Sequence, residues 1–265
     1  NRTKPDLVLS NYPIWDYSFY KILRKSFPEV PYVNLNTDSN YPHHAWLIAD
    51  ADYNIVADED TKKLYVARGK KASKIKILGI PVRQDVAELG EKTLPTKTTP
   101  KAPYRVLFLP SSSSSRVILN LIKEFAGNKD FEMEVVLGRS KTSAEKIQSK
   151  FQAKNIKITG WTDEIAQKLS QSHIVITKPG GSTTQECIAM KKPMIINKVV
   201  PGQEQGNANL IVKHRIGFVS TKPKEILEDC YKIIKDYPGY QKRIADLSIN
   251  NSAKQIAHFI DSIEA

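Results

Sequence analysis

Residues 178–209 read KPGGSTTQECIAMKKPMIINKVVPGQEQGNAN. They follow an apolar run, residues 173–177 (HIVIT), with the length and composition of a buried strand. Gly180 and Gly181 interrupt the run. Ser182, Thr183 and Thr184 then supply hydroxyls and N-cap chemistry, so a helix is expected from there to about Met190. A second buried strand is expected over residues 193–197, after which PGQEQGN opens a further helix with Gln203, Glu204 and Asn207. Strand, Gly-rich turn and helix N-terminus is a geometry that receives a phosphate, because free backbone N–H groups and the positive end of the helix dipole face the anion. Glu186 lies one turn into the first helix. Two polar helix starts, one strand apart in a parallel sheet, point to the same sheet edge. A nucleoside diphosphate sugar, with its phosphates and its hydroxyls, matches that combination. The plain alternative is a tight connection at Gly180-Gly181 and capping roles for Gln203, Glu204 and Asn207.

Outward from this stretch, strands alternate with helices, which predicts an α/β chain with largely parallel sheets. Before residue 85, strands are expected over residues 5–10, 31–37, 52–57 and 74–78, with a helix over 14–25. Four strands with few helices resemble the back half of a doubly wound domain, and the chain opens on Asn1 almost directly at a strand, as if its N-terminus were missing. Residues 86–103 are rich in Lys, Thr and Pro and read as a linker. A second α/β unit is expected over 104–239. Its first strand (104–109) leads into Pro110 and five serines, with Ser111, Ser112 and Ser113 the candidates for a phosphate-facing loop. As a low-complexity run, the serines also read as a plain flexible loop. Pro238-Gly239 reads as a break, and residues 240–265 as a closing amphipathic segment.

The chain has 265 residues, enough for one large core or two small ones, and 40% are apolar. No apolar run is long enough to span a bilayer. Cys187 and Cys230 fall in two different expected helices and form no disulfide framework. The formal net charge of +12 suits phosphate-bearing or anionic lipid partners. Residues 62–76 carry seven basic residues and no acidic one. That run is either a solvated helix face and loop or a patch for an anionic membrane surface. No nucleic-acid-binding motif is present.

The pattern K-x-G-G-x-T-x-x-E over residues 178–186, followed by P-G-Q-E-x-x-N over 201–207, resembles the donor-binding signature of GT-B glycosyltransferases that move a sugar from a UDP-sugar to a lipid. The resemblance is to the processive diacylglycerol glucosyltransferases and monogalactosyldiacylglycerol synthases, and more distantly to the lipid-linked N-acetylglucosaminyl transferase of peptidoglycan synthesis. It implies two Rossmann-like doubly wound domains, the N-terminal one incomplete here, with an acceptor-side domain (1–85), a donor domain (104–239) and an active site in the cleft between them. It further implies that Glu186 holds the ribose hydroxyls. By the same resemblance Gly180, Gly181, Ser182 and Thr183 form the diphosphate turn, and Gln203 and Glu204 read the sugar hydroxyls, with the donor-site candidate Asn207 one helical turn on. Gly160 and Trp161 cup the uracil. Gly79, Pro81 and Arg83 match G-x-P-x-R, with Arg83 facing the diphosphate. Thr37, Asp38, His43 and Trp46 match T-D … H-x-x-W, making His43 and Asp38 the candidates for proton transfer or acceptor positioning.

Two departures stand out. The loop after strand 104–109 is PSSSSS where the family is Gly-rich, and a Cβ at each position limits close backbone approach. The family's early Gly-rich motif with a His has no counterpart. The implied mechanism is direct displacement at the anomeric carbon, independent of metal or other cofactors, on the cytoplasmic face of a membrane. Transfer of N-acetylglucosamine to a lipid-linked sugar, and a non-catalytic nucleotide-sugar or membrane-binding module, are the competing readings.

Overall fold

The computed structural model describes residues 5–39, 44–110, 114–138, 153–199, 203–249 and 251–263, with the isolated positions 145, 147, 149 and 151. It contains two compact units. One comprises residues 1–82, 201–210 and 251–265, the other residues 83–200 and 211–250.

The N-terminal unit is a four-stranded parallel sheet in the order β1-β2-β3-β4, made by β1 (Val8–Ser10), β2 (Tyr32–Leu35), β3 (Tyr53–Val56) and β4 (Ile75–Ile77). Helix α1 (Pro13–Ser26) links β1 to β2, and α2 (Glu59–Ala67), N-capped by Asp58, links β3 to β4. Strand β2 is buried along its whole length, as a parallel strand covered on both faces should be. It nevertheless carries Asn34, whose amide donates to Asp16 Oδ2 (2.9 Å), while the Tyr32 hydroxyl donates to Asp16 Oδ1 (2.7 Å).

The C-terminal unit is a six-stranded parallel sheet in the order β10-β9-β8-β5-β6-β7. The strands are β5 (Tyr104–Leu109), β6 (Phe131–Val136), β7 (Ile156–Thr159), β8 (Ile174–Thr177), β9 (Met194–Ile196) and β10 (Gly217–Val219). This is the doubly wound order, with its reversal between β5 and β8. Helix α4 (Ser115–Phe125) and α8 (Pro223–Lys235) bury Ile118, Ile122, Phe125, Ile226 and Ile233 against Val106, Phe108 and Met133. The helices α5 (Ile165–Gln171) and α6 (Gly181–Ala189) follow β7 and β8, and α7 (Gln203–Lys213) follows β9, its residues 203–210 counted with the N-terminal unit. Cys187 and Cys230 are both fully buried, which fits packing and not nucleophilic chemistry.

The expected α/β class and parallel sheets are present, and the strands over 104–109 and 156–159 have the expected limits. Two stretches differ. Within the expected linker, Gln84–Lys92 forms helix α3 and buries Val86, Ala87 and Gly90. Three apolar contacts in nine residues are too few to show a period beside the Thr/Pro-rich tail that follows. Pro238-Gly239 is no break either: it lies in the first turn of α9 (Tyr237–Leu247), where a proline's missing N–H has no helical role. The closing segment is therefore two helices. α9 belongs to the C-terminal unit and α10 (Ser252–Asp261) to the N-terminal one. They part at Asn251, which takes a left-handed φ of 46° and caps Lys254 N. Ile256 of α10 then packs against Val33, Leu35 and Ile55, and Phe259 meets Tyr53 edge-on at 5.2 Å. Most of the helix expected over residues 143–151 lies outside the described residues.

At the sheet edge, a Cβ on Gly217 would stand 1.9 Å from Met194 O on the neighbouring strand. Gly217→Ala is expected to destabilise the C-terminal unit by about 2–3 kcal/mol, as overpacking does. Urea unfolding measures it, and an unchanged midpoint would contradict the close β9–β10 approach.

Candidate functional site

The site is built at the carboxyl ends of β5 and β8, the pair that flanks the topological reversal. In such sheets the connections leaving these two strands run in opposite directions and open a crevice. β8 ends at Thr177, and Lys178, Pro179 and Gly180 carry the chain into α6. The N-cap is Gly180, not one of the hydroxyl residues, and it offers no side-chain hydrogen bond. Ser182, Thr183 and Thr184 sit within the first turns instead. The first N–H groups of α6 lack intrahelical acceptors by geometry and face the positive end of the helix dipole. An anion there would complete the cap.

Glu186 lies one turn on and is only 8% exposed. Its carboxylate makes no hydrogen bond or salt bridge with any described residue. Burial pushes its pKa up, the Arg83 charge pulls it back and the Asp85 charge raises it further. Buried carboxylates are ordinarily paired, and here the favourable charge is that of Arg83. Thr184 Oγ1 on α6 and Asn197 Nδ2 just past β9 are buried without a hydrogen-bond partner among the described residues.

Arg83 precedes α3 and is exposed. Its guanidinium grips the Asp85 carboxylate and donates to Asp163 O at 3.2 Å. It therefore ties the start of α3 to the loop after β7, and its charge acts on Glu186 from there. Gly160 and Trp161 occupy that same loop, with the indole 56% exposed. Asp85, Asp163 and Asn197 were not legible as site residues. Nothing in PVRQD announces that its arginine and aspartate pair.

Helix α7 opens with Gln203 and Glu204, and Asn207 on its second turn is 6% exposed. In the N-terminal unit Asp38 is buried and accepts from Trp46 Nε1 at 2.8 Å. The T-D … W spacing is thus a hydrogen-bonded pair. His43 and Ser111, Ser112 and Ser113 lie outside the described residues.

Comparison with known proteins adds two family matches. Residues 1–82 match the monogalactosyldiacylglycerol (MGDG) synthase family, and residues 108–254 match the glycosyltransferase family 28 C-terminal domain. The chain is 30% identical over 262 residues to a processive diacylglycerol beta-glucosyltransferase of Bacillus subtilis (strain 168), covering 96% of this chain and 68% of that protein. It is 28% identical over 262 residues to the protein of that name from Bacillus licheniformis, covering 96% and 67%. Among solved structures it resembles the UDP-GlcNAc 2-epimerase of Neisseria meningitidis bound to UDP-GlcNAc, with a TM-score of 0.65, 14% identity and coverage of 98% and 77%. At that identity the likeness is one of fold.

A carboxyl held above its ordinary range stabilises the fold least when ionised. Its contribution is fully present below the ordinary glutamate range and is lost as pH rises through the raised value. Glu186→Gln is accordingly expected to raise the melting temperature of the ligand-free protein near neutral pH by about 2–4 °C, and to leave it unchanged in acid. A lowered midpoint in scanning calorimetry near neutral pH would mean that the carboxylate has a partner within the chain.

Proposed function

The chain belongs to glycosyltransferase family 28, and from that membership we infer that it moves a hexose from a UDP-sugar to the hydroxyl of a diacylglycerol-type lipid. The observation that carries the reading is Glu186: a glutamate 8% exposed, with no hydrogen bond to a described residue, one turn into a helix whose N-cap Gly180 offers no side-chain cap. An ionised carboxylate accepts hydrogen bonds only, and with two oxygens it suits a vicinal diol such as ribose. The adjoining helix start suits a diphosphate. One ligand, a nucleoside diphosphate, has both parts.

In this reading Gly181, Ser182 and Thr183 hold the diphosphate, and Gly160 and Trp161 hold the uracil. Gln203, Glu204 and Asn207 read the sugar, and Ser111, Ser112 and Ser113 are a second phosphate-facing loop. Arg83, engaged by Asp85, acts through its charge on Glu186 and not as a free clamp on phosphate. The lipid hydroxyl attacks the anomeric carbon as its proton passes to a base, for which His43 is the candidate. The C–O bond to UDP breaks, and the charge left on the β-phosphate is stabilised by the α6 terminus without a required metal ion. Asp38, which accepts from Trp46, is the second candidate, for proton transfer or acceptor positioning. No helix among the described residues is long and apolar enough to cross a membrane. We assign the protein to the surface of the cell membrane, on its cytoplasmic side, where a basic protein meets both a lipid acceptor and anionic headgroups.

Calorimetric titration with UDP, UDP-glucose, UDP-galactose and UDP-GlcNAc tests the reading, together with transfer of labelled hexose to diacylglycerol in mixed micelles containing a chelator. Saturable UDP binding is expected. Glu186→Ala should weaken it by about 1–3 kcal/mol through loss of charged hydrogen bonds. Gln203→Ala should leave UDP affinity near normal and reduce discrimination between epimeric sugars. UDP affinity unaffected by Glu186→Ala would overturn the donor-site assignment.

A further inference from the structure

Lys191 follows α6 with φ at 54°, in the left-handed region. A residue with a Cβ is strained there, and a glycine is the usual occupant of that position after a helix. The lysine side chain offers a reason. Its Nζ donates to Ala189 O (2.9 Å), the last residue of α6, and to Gly90 O (2.6 Å), in the last turn of α3. One ammonium thus serves the C-terminal carbonyls of two helices, where both helix dipoles favour a cation. The side chain is 6% exposed, so the two bonds are shielded from water.

The packing around this contact is close. A Cβ on Gly90 would stand 2.7 Å from Ala189 O, so only a glycine lets α3 lie this near α6. Gln241 of α9 donates from Nε2 to Lys191 O (3.3 Å), and its Oε1 accepts from Thr96 N (2.7 Å). The chain that leaves α3 is therefore fastened to the same residue. Helix α3 is nine residues, about 13 Å long, and anchoring its last turn fixes its first. The first turn carries Asp85 and follows Arg83, the two charged groups that act on Glu186. Glu91 is the charged group that acts on Lys191 itself.

We propose that Lys191 is a positioning residue for the donor site: by joining the ends of α3 and α6 with one buried ammonium, it holds the Arg83–Asp85 pair at the separation from Glu186 that nucleotide binding requires. The proposal rests on the reading of Glu186 as the ribose ligand. Nothing in the transfer chemistry itself uses Lys191.

The test uses the full chain with Lys191→Gly, which relieves the backbone and removes the ammonium, the conservative Lys191→Arg, and Gly90→Ala, which forces α3 off α6. Two readouts are taken. The ionisation of Glu186 in ligand-free protein is followed by carbon-13 NMR of labelled glutamate, assigned by comparison with Glu186→Gln. UDP affinity is measured by calorimetry. Lys191→Gly and Gly90→Ala are both expected to raise the Glu186 midpoint, because the Arg83 charge is the larger of the two influences removed, and to weaken UDP about fivefold. Lys191→Arg should restore both. Folded Lys191→Gly and Gly90→Ala proteins with an unchanged Glu186 midpoint would overturn the proposal, and Gly90→Ala decides alone if Lys191→Gly does not fold. A moved midpoint with unchanged UDP affinity in every variant, Glu186→Gln included, would keep the clamp but refute the nucleotide role of Glu186, and the proposal would fall with it.

Discussion

Parallel pairing of β5 with β8 is the constraint on which the candidate site depends. Val106 pairs with Ile174 and Leu109 with Thr177, although the two strands are separated in the chain by β6 and β7. The pairing holds because Val106, Leu107 and Phe108 on one strand, and Ile174, Val175 and Ile176 on the other, are buried. Each strand has an apolar neighbour on both faces, and neither can shift without exposing one. From that juxtaposition the chain must leave β5 toward one side and β8 toward the other, and the space between the departures is where a ligand finds backbone N–H groups uncommitted.

Within that space the protein leaves polar groups unsatisfied. Thr184 Oγ1 and Asn197 Nδ2 are buried without hydrogen-bond partners among the described residues, Glu186 is 8% exposed, and the helix that bears Thr184 and Glu186 begins with a glycine that has no side chain to cap it. Other buried polar groups are matched, although Asn34 Oδ1, Asn54 Oδ1 and Asp58 Oδ2 of the N-terminal unit are also buried without a partner among the described residues. Asp16 is met by Tyr32 and Asn34, Asp38 by Trp46, and Lys192 Nζ by the carbonyls of Ser170 and Ser172. What distinguishes Glu186 is its charge: a buried carboxylate without a hydrogen-bond partner destabilises the apo fold, a cost that a ligand can offset.

Much of this was legible in the sequence. Continuous apolar runs such as YRVLFL and HIVIT identify buried parallel strands, and the Gly-Gly turn marks where the second of them gives way to the helix bearing Glu186. What stayed hidden depends on long-range contact. Helix α3 escaped notice because its three buried positions span only nine residues and owe their burial to elements far along the chain. Arg83 was legible as a site cation but not as the partner of Asp85, since a pairing two residues apart leaves no periodic trace. Lys191 looks like any surface lysine in MKKPM. Its left-handed backbone and its two carbonyl partners exist only once α3 has docked on α6. Pro238-Gly239 misled for the opposite reason, since a first helical turn tolerates the residues that ordinarily end a helix.

The measurement that tests the central claim most directly is a thermodynamic cycle pairing Glu186 with the ribose diol. UDP and 2′,3′-dideoxy-UDP are titrated into the wild-type protein and into Glu186→Ala. If the carboxylate holds the two hydroxyls, removing them weakens binding to the wild-type protein by about 1–3 kcal/mol and has little effect in the variant, leaving a coupling energy of that size. Equal losses in both proteins, with no coupling, would contradict the account: Glu186 would then be a buried carboxylate that does not meet the nucleotide.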